Sequence, residues 1–214
     1  MAQASATTTA RQPGPGRASG LQANLPQALG LIAGRLPAGT RLRLLFQDEG
    51  RFGRIHDGRR CWGPLPLRPV IGQQVVREYV YAYVAVSPLD GAMASLILPW
   101  VDASLMTLFL NHTATHFAGE HCVVLMDRAG WHVANDLVVP GSMTVLPLPP
   151  YSPECNPAEQ IWKYTRTNDL RNRTFEDLDE VVDAVSDSLH TLHTNPDLVR
   201  SMTAFERITT LRLM

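Results

Sequence analysis

Two nearly unbroken apolar runs constrain this chain most: LRLLF at 42–46 and CVVLM at 122–126, each leading directly or almost directly into an aspartate, Asp48 and Asp127. A strand that is apolar on both faces has to be covered on both, like the central strands of a sheet layered between helices. The neighbouring segments supply those layers. LPQALGLIAGRLPAG reads as a short helix closed by Pro37 and Gly39. The first buried strand is expected to end at Asp48, because RFGRIHDGRRCWGPLPLRP after it has no period and reads as a loop or irregular hairpin. REYVYAYVAVSPLDGAMASLILPW then gives two strands around the turn residues Pro88, Asp90 and Gly91.

From Asp102 the period becomes helical, with Leu105, Leu108, Phe109, His112, His116 and Phe117 on one face. The second buried strand ends at Asp127, a short helix is expected around Asn135–Val139, and MTVLPLPP forms a fifth strand stopped by its prolines. Asn156 followed by Pro157 marks a helix start, as N-cap and first helical residue. A long helix opening at Thr174 carries the stripe Phe175, Leu178, Val182, Val185, Leu189 and Leu192. This order implies an α/β fold: a mixed five-stranded sheet flanked by helices.

At 214 residues and 45% hydrophobic content, the chain suits one sizeable domain, here 25–214. Residues 1–24 are rich in small residues and proline, lack acids and have no apolar core of a secretory signal. They read as a disordered leader, with a transit peptide as the alternative. No apolar run reaches the ~18 residues of a membrane helix. Three cysteines without a CxxC pair indicate neither a zinc site nor a disulfide framework, which fits a reducing cytoplasm. A net charge of −1 does not advertise a nucleic-acid binder, yet Arg51, Arg54, Arg59, Arg60 and Arg68 crowd one stretch.

Three acids stand out by position. Asp48 and Asp127 follow apolar strands and Glu159 lies in the first turn of a helix, so acids from three elements would meet outside the carboxyl ends of the strands. Such an oxygen-rich site suits hard Mg²⁺ or Mn²⁺. Taken singly, each acid has a plain structural role. Asp48 could begin a turn, Asp127 could cap a loop, and Glu159 could complete a capping box with Asn156.

QDEGRFG around Asp48, MDRAGWH around Asp127 and LPPYSPECNPAEQIW around Glu159 together resemble the three acid motifs of the bacterial insertion-sequence 630 transposases, relatives of the mariner transposases. The third motif is the most specific, and 31 residues separate Asp127 from Glu159, near the family's usual spacing. The likeness spans roughly Leu42 to Arg173; Arg128 departs from it. It implies a ribonuclease-H-like fold and two-metal phosphodiester chemistry, with Asp48 bridging two Mg²⁺ or Mn²⁺ ions, Asp127 holding one and Glu159 the other. Hydrolysis would free the element's ends, and the same site would join a 3′-hydroxyl to target DNA. A homodimer is expected in the active complex. Family members usually carry N-terminal helix-turn-helix modules, for which there is little room here, so a separate subunit is expected to supply end recognition in the bacterial cytoplasm, at the nucleoid.

Arg51, Arg54, Arg59 and Arg60 are candidates to track phosphates, with Trp62 to stack against a base, or else they form a solvated loop over a packed tryptophan. His132 contacts the scissile phosphate or packs. His112, His116 and His121 crowd one helix end but lack an HExxH motif and read as ordinary helix residues. Ser104 and Ser152 lack a His-Asp setting. A non-catalytic DNA-binding remnant and a nuclease without strand transfer remain as alternative functions.

Overall fold

The computed structural model describes residues 16–55, 64, 66, 70, 74–150 and 152–205, and for residues 16–23 and Ile55 the backbone alone. One sheet holds β1 (Arg41–Ile55), β2 (Val75–Val86), β3 (Met93–Leu98), β4 (Glu120–Met126) and β5 (Met143–Pro147) in the spatial order β3-β2-β1-β4-β5. β2 pairs antiparallel with β1 and β3, whereas β1, β4 and β5 run parallel. The helices are α1 (Gly16–Ala33), α2 (Ala103–His116), α3 (Glu159–Tyr164), α4 (Leu178–His193) and α5 (Pro196–Thr203). The mixed five-stranded sheet flanked by helices is therefore as the sequence pattern implies.

Strand alternation divides the interior into two cores. Leu44, Phe46, Val123 and Leu125 point into one, filled by α1, α3, α4 and α5. Leu45, Val124 and Met126 point into the other, filled by Met106, Phe109 and Leu110 of α2. Among the described residues no helix is long and apolar enough to cross a membrane.

Five local expectations change. β1 does not stop at Asp48 but runs on to Ile55, because β2 pairs with it from Phe46 through Ile55 and supplies ladder bonds to a polar segment without hydrophobic period. α2 buries Ala103, Met106, Phe109, Leu110 and Thr113, while Leu108 is 49% exposed and His112 and His116 lie outside. Small Ala103 and Thr113 let the helix approach the sheet, and a stripe chosen for bulk is rotated from the real contact face. Asn135–Val139 is not a helix, with a turn at residues 135–136 and no regular structure over 137–139, and a 3-10 turn stands earlier, at Gly130–His132. Val138 is 61% exposed there and its amide donates to Thr107 Oγ1, so the segment has no apolar face to stabilise a helix. At the chain start, α1 begins at Gly16, ahead of the boundary expected at residue 25, and residues 1–15 lie outside the described residues. α4 opens at Leu178 rather than Thr174, with Asp177 as its cap accepting from the Glu180 amide at 2.9 Å.

The hairpin turn between β2 and β3 packs against α5. Gly91 there has φ +76°, and a Cβ on it would lie 1.9 Å from the Pro196 carbonyl oxygen. Gly39 has φ +84° with nothing within 4 Å. Gly91→Ala is therefore expected to lower the melting temperature by roughly 5–10 °C, since it adds a backbone collision to the left-handed strain. Gly39→Ala bears only the strain and should lose distinctly less. Equal losses in thermal melts of the two variants would contradict the collision.

Candidate active site

β1 and β4 lie side by side and parallel, and Phe46 opposite Leu125 is their last pair. Beyond it β1 continues against β2 while β4 ends at Met126, which opens a crevice at the carboxyl end of the parallel strands. Asp48 lies two residues after Phe46, and Asp127 two after Leu125. Both thus share the parity of the face that α3 and α4 cover. Glu159 starts α3 beside them. A cavity of about 420 Å³ is lined by Asp48, Asp127 and Glu159 together with Arg128, Ser152 and Asn156.

Two bonds dock α3 on β1. The buried Asn156 donates from Nδ2 to the Gln47 carbonyl at 2.9 Å, and Trp162 Nε1 donates to Asp48 Oδ2 at 2.8 Å. Trp162 is 2% exposed and meets Phe52 edge-on, at 5.7 Å between ring centres. A Cβ on Gly50 would come within 2.7 Å of the indole, so a residue without a side chain lets the ring close on the strand. Asn156 is not the N-cap of α3. Ala158, in helical conformation, precedes the helix, and Asn156 Oδ1 accepts from the Ala158 amide at 3.2 Å. The capping-box role for Glu159 falls with that, because only its backbone amide reaches Asn156.

The charges interact. Burial, and then the Glu159 charge, push the Asp48 carboxyl up to about 7 against the pull of the Trp162 N–H. Glu159 is raised by burial and by Asp127, with Arg166 opposing. Asp127 is held below the usual carboxylate range, chiefly by its hydrogen bond from His132. Burial would lower His132, but its bonds to Asp127 and Glu49 override that and lift it to about 9.

An all-carboxylate donor set fits a hard divalent cation, and the raising of Asp48 by Glu159 and of Glu159 by Asp127 is the excess negative charge such a cation would neutralise. Among the described residues no three His, Cys, Asp or Glu side chains already enclose an ion. Three carboxylates that repel one another stand looser than a closed coordination shell.

The other expected residues divide. Arg51 is exposed and stacks over Tyr79, at 4.7 Å to the ring centre. Arg54 is spent inside the chain: it pairs with Glu78 at 2.8 Å and donates to the Phe175 and Glu176 carbonyls, tying β1 to the approach to α4. His132 is buried, with Nδ1 2.6 Å from Asp127 Oδ1 and Nε2 2.8 Å from Glu49 Oε1, so its ring is turned to carboxylates rather than to the surface. Arg59, Arg60, Trp62 and Arg68 lie outside the described residues. His121 meets Thr144 Oγ1 at 2.9 Å, away from His116, which neighbours His193 instead. Sequence reasoning missed Glu49 and the donor role of Trp162. Glu49 carried no signal of its own, since adjacent strand residues leave opposite faces.

The sequence model of the DDE superfamily endonucleases matches residues 43–182. An uncharacterized protein, y4pE/y4sA, of Sinorhizobium fredii (strain NBRC 101917 / NGR234) is 42% identical over 105 residues, covering 49% of this chain and 78% of that protein. The Mos1 mariner transposase catalytic domain superimposes with a TM-score of 0.51 at 13% identity, over 90% of this chain and 95% of that one. The Mos1 mariner paired end complex with Mn gives 0.55 at 13% identity, over 95% and 68%. At such identity the likeness is one of fold, and the ribonuclease-H-like fold expected from the motifs is present.

Asp48 sets a pH dependence of stability. Its folded-state carboxyl titrates at about 7, against about 4 when unfolded. Between those values the folded state keeps a proton that the unfolded chain has released, so stability falls as pH rises through that window. Asp48→Asn removes the penalty while its carbonyl still accepts from Trp162. The variant should melt with the parent near pH 4 and roughly 8–16 °C above it at pH 8, without added metal. Coincident melts at pH 8 would show that Asp48 is not strained by its charge.

Proposed function

The chain belongs to the DDE superfamily endonuclease family, and we propose that it is the catalytic domain of a mariner-like DNA transposase, cutting phosphodiester bonds at the ends of an insertion sequence and joining the freed 3′-hydroxyls to target DNA. One observation carries the reading: Asp48, Asp127 and Glu159, from three elements, line one cavity at the carboxyl ends of two adjacent parallel strands. The Mos1 relative of the same fold forms a paired end complex with Mn, which supports a divalent ion and DNA as the ligands here.

Asp48, Asp127 and Glu159 are the residues that would hold two Mg²⁺ or Mn²⁺ ions. Such ions activate an attacking water or 3′-hydroxyl and stabilise the leaving oxygen. The chain's own part is positioning. Trp162 fixes one oxygen of Asp48, His132 fixes one of Asp127, and the start of α3 delivers Glu159. Arg128 lines the cavity and Arg51 lies exposed on β1, and both are candidates to meet phosphate oxygens. The active form is a homodimer, with a helix-turn-helix subunit reading the element's ends, and it acts in the cytoplasm at the nucleoid.

Plasmid nicking should require Mg²⁺ or Mn²⁺ and fall to background in Asp48→Asn and Glu159→Gln, with circular dichroism unchanged. Undiminished nicking by either purified variant would overturn the assignment. With oligonucleotides bearing 3′-hydroxyl element ends, joined products are expected, and nicking without joining would reduce the activity to that of a nuclease.

DNA binding should be weak and nearly indifferent to sequence, with Kd of about 10⁻⁶ M or weaker at physiological salt, because the net charge is −1. Affinity should drop steeply as salt rises, through counterion release. Nanomolar binding to one inverted repeat would reveal a recognition element within this chain.

A further inference from the structure

Asp48 and Glu49 are consecutive, so they leave β1 on opposite faces. Asp48 meets α3. Glu49, its side chain only 7% exposed, faces the α2 side, where the 3-10 turn Gly130–His132 folds back over the sheet end. That turn wedges His132, its side chain 1% exposed, between two carboxylates: Nε2 is 2.8 Å from Glu49 Oε1 and Nδ1 is 2.6 Å from Asp127 Oδ1. Trp131 Nε1 donates to the same Glu49 oxygen at 3.1 Å and meets the imidazole nearly edge-on. The Ala129 amide donates to Asp127 Oδ1 at 2.8 Å.

We propose that Glu49 and His132 form a clamp that presents Asp127 to a divalent cation through a single oxygen. This rests on the reading of the cavity as a cation site. A carboxylate oxygen has two lone-pair positions. Oδ1 of Asp127 fills both, with His132 Nδ1 and the Ala129 amide, so Oδ2 is left for the cavity. The imidazole is fixed from behind by Glu49, and Glu49 in turn by Trp131. Removing a carboxylate and an imidazole from water is costly, and apolar side chains would fill the space at least as stably. The chain of polar contacts is therefore accounted for by what it orients, as partners beyond the ligands orient metal-binding side chains generally. His132 and Glu49 are positioning residues, acting through Asp127.

The probe is Mn²⁺ alone, titrated calorimetrically into the full chain without DNA, alongside nicking kinetics on folded variants. His132→Ala should weaken Mn²⁺ binding by about 10–100-fold and lower kcat by a similar factor while KM for DNA stays unchanged. His132→Asn, whose side-chain nitrogen takes the place of Nδ1, should recover most of both. Glu49→Gln still accepts from Nε2 and should fall between the two. If His132→Ala does not fold, His132→Asn and Glu49→Gln carry the comparison, with Glu49→Gln the weaker binder. A folded His132→Ala that binds Mn²⁺ like the parent, while Asp127→Asn does not, would overturn the clamp and leave the cation site standing. Equal loss in His132→Ala and His132→Asn would also overturn it. Parent-like Mn²⁺ binding by Asp127→Asn would remove the cation site and the clamp together.

Discussion

The indole N–H of Trp162 sits in a six-residue helix and donates to a carboxylate on a different element, 2.8 Å away on β1. A helix that short does not hold itself together in water. α3 exists because Ile161 and Trp162 are buried to 0% and 2% exposure, and because Asn156 ties its approach to the Gln47 carbonyl. Behind it a π-helical turn, Thr165–Asp169, brings Thr165 Oγ1 to within 2.9 Å of Ser188 on α4. Glu159 has no other means of reaching the strand ends. Its place beside Asp48 and Asp127 is a consequence of where the tryptophan packs, and that packing requires the bare backbone of Gly50.

The strands on which this rests are the most deeply buried part of the chain. Leu44, Leu45, Phe46, Val123, Val124 and Leu125 are each at most 1% exposed, and each contributes about 1.5–3 kcal/mol by leaving water. The residues just beyond them cost stability instead. Gln47 is fully buried with neither side-chain polar atom hydrogen-bonded among the described residues. Asp48 is pushed up to about 7 by burial and a neighbouring charge, and Glu49 is a nearly buried carboxylate. A buried, unpaired polar group costs about 1–3 kcal/mol. Gln47 bears that cost in full, whereas the hydrogen bonds to Asp48 and Glu49 relieve theirs in part, and the apolar stretch before them offsets the rest. Strain collected at one end of a well-packed sheet is the usual position of a site that does chemistry.

Much of the fold was legible because it rests on period and on short-range chemistry. The two apolar runs declared central strands, Pro88, Asp90 and Gly91 declared the hairpin, and the stripe from Phe175 to Leu192 declared α4. The misreadings share a cause. β1 beyond Asp48 has no apolar period and is a strand only because β2 offers it hydrogen bonds. α2 turned a different face inward because Ala103 and Thr113 allow closer approach than Leu108. Arg54 looked like a phosphate contact, yet Glu78 and two carbonyls near α4 consume its donors. In each case the deciding partner is remote in sequence.

The sequence by itself determined the layered α/β class, the placing of two acids just after the apolar runs and of the third at a helix start, and, through their surrounding motifs, the family resemblance. These follow from local pattern, since strand period, capping residues and short motifs are read within a few neighbours. Only the tertiary structure decided that Asp48 and Asp127 open into one cavity, that Trp162 holds the first, and that Glu49 reaches across the sheet end to His132 and the second. Those bonds join residues 82 or more positions apart, apart from the short His132–Asp127 link. A hydrogen bond needs its donor and acceptor within about 3 Å, and which distant pairs meet that condition is set by how the sheet and helices pack.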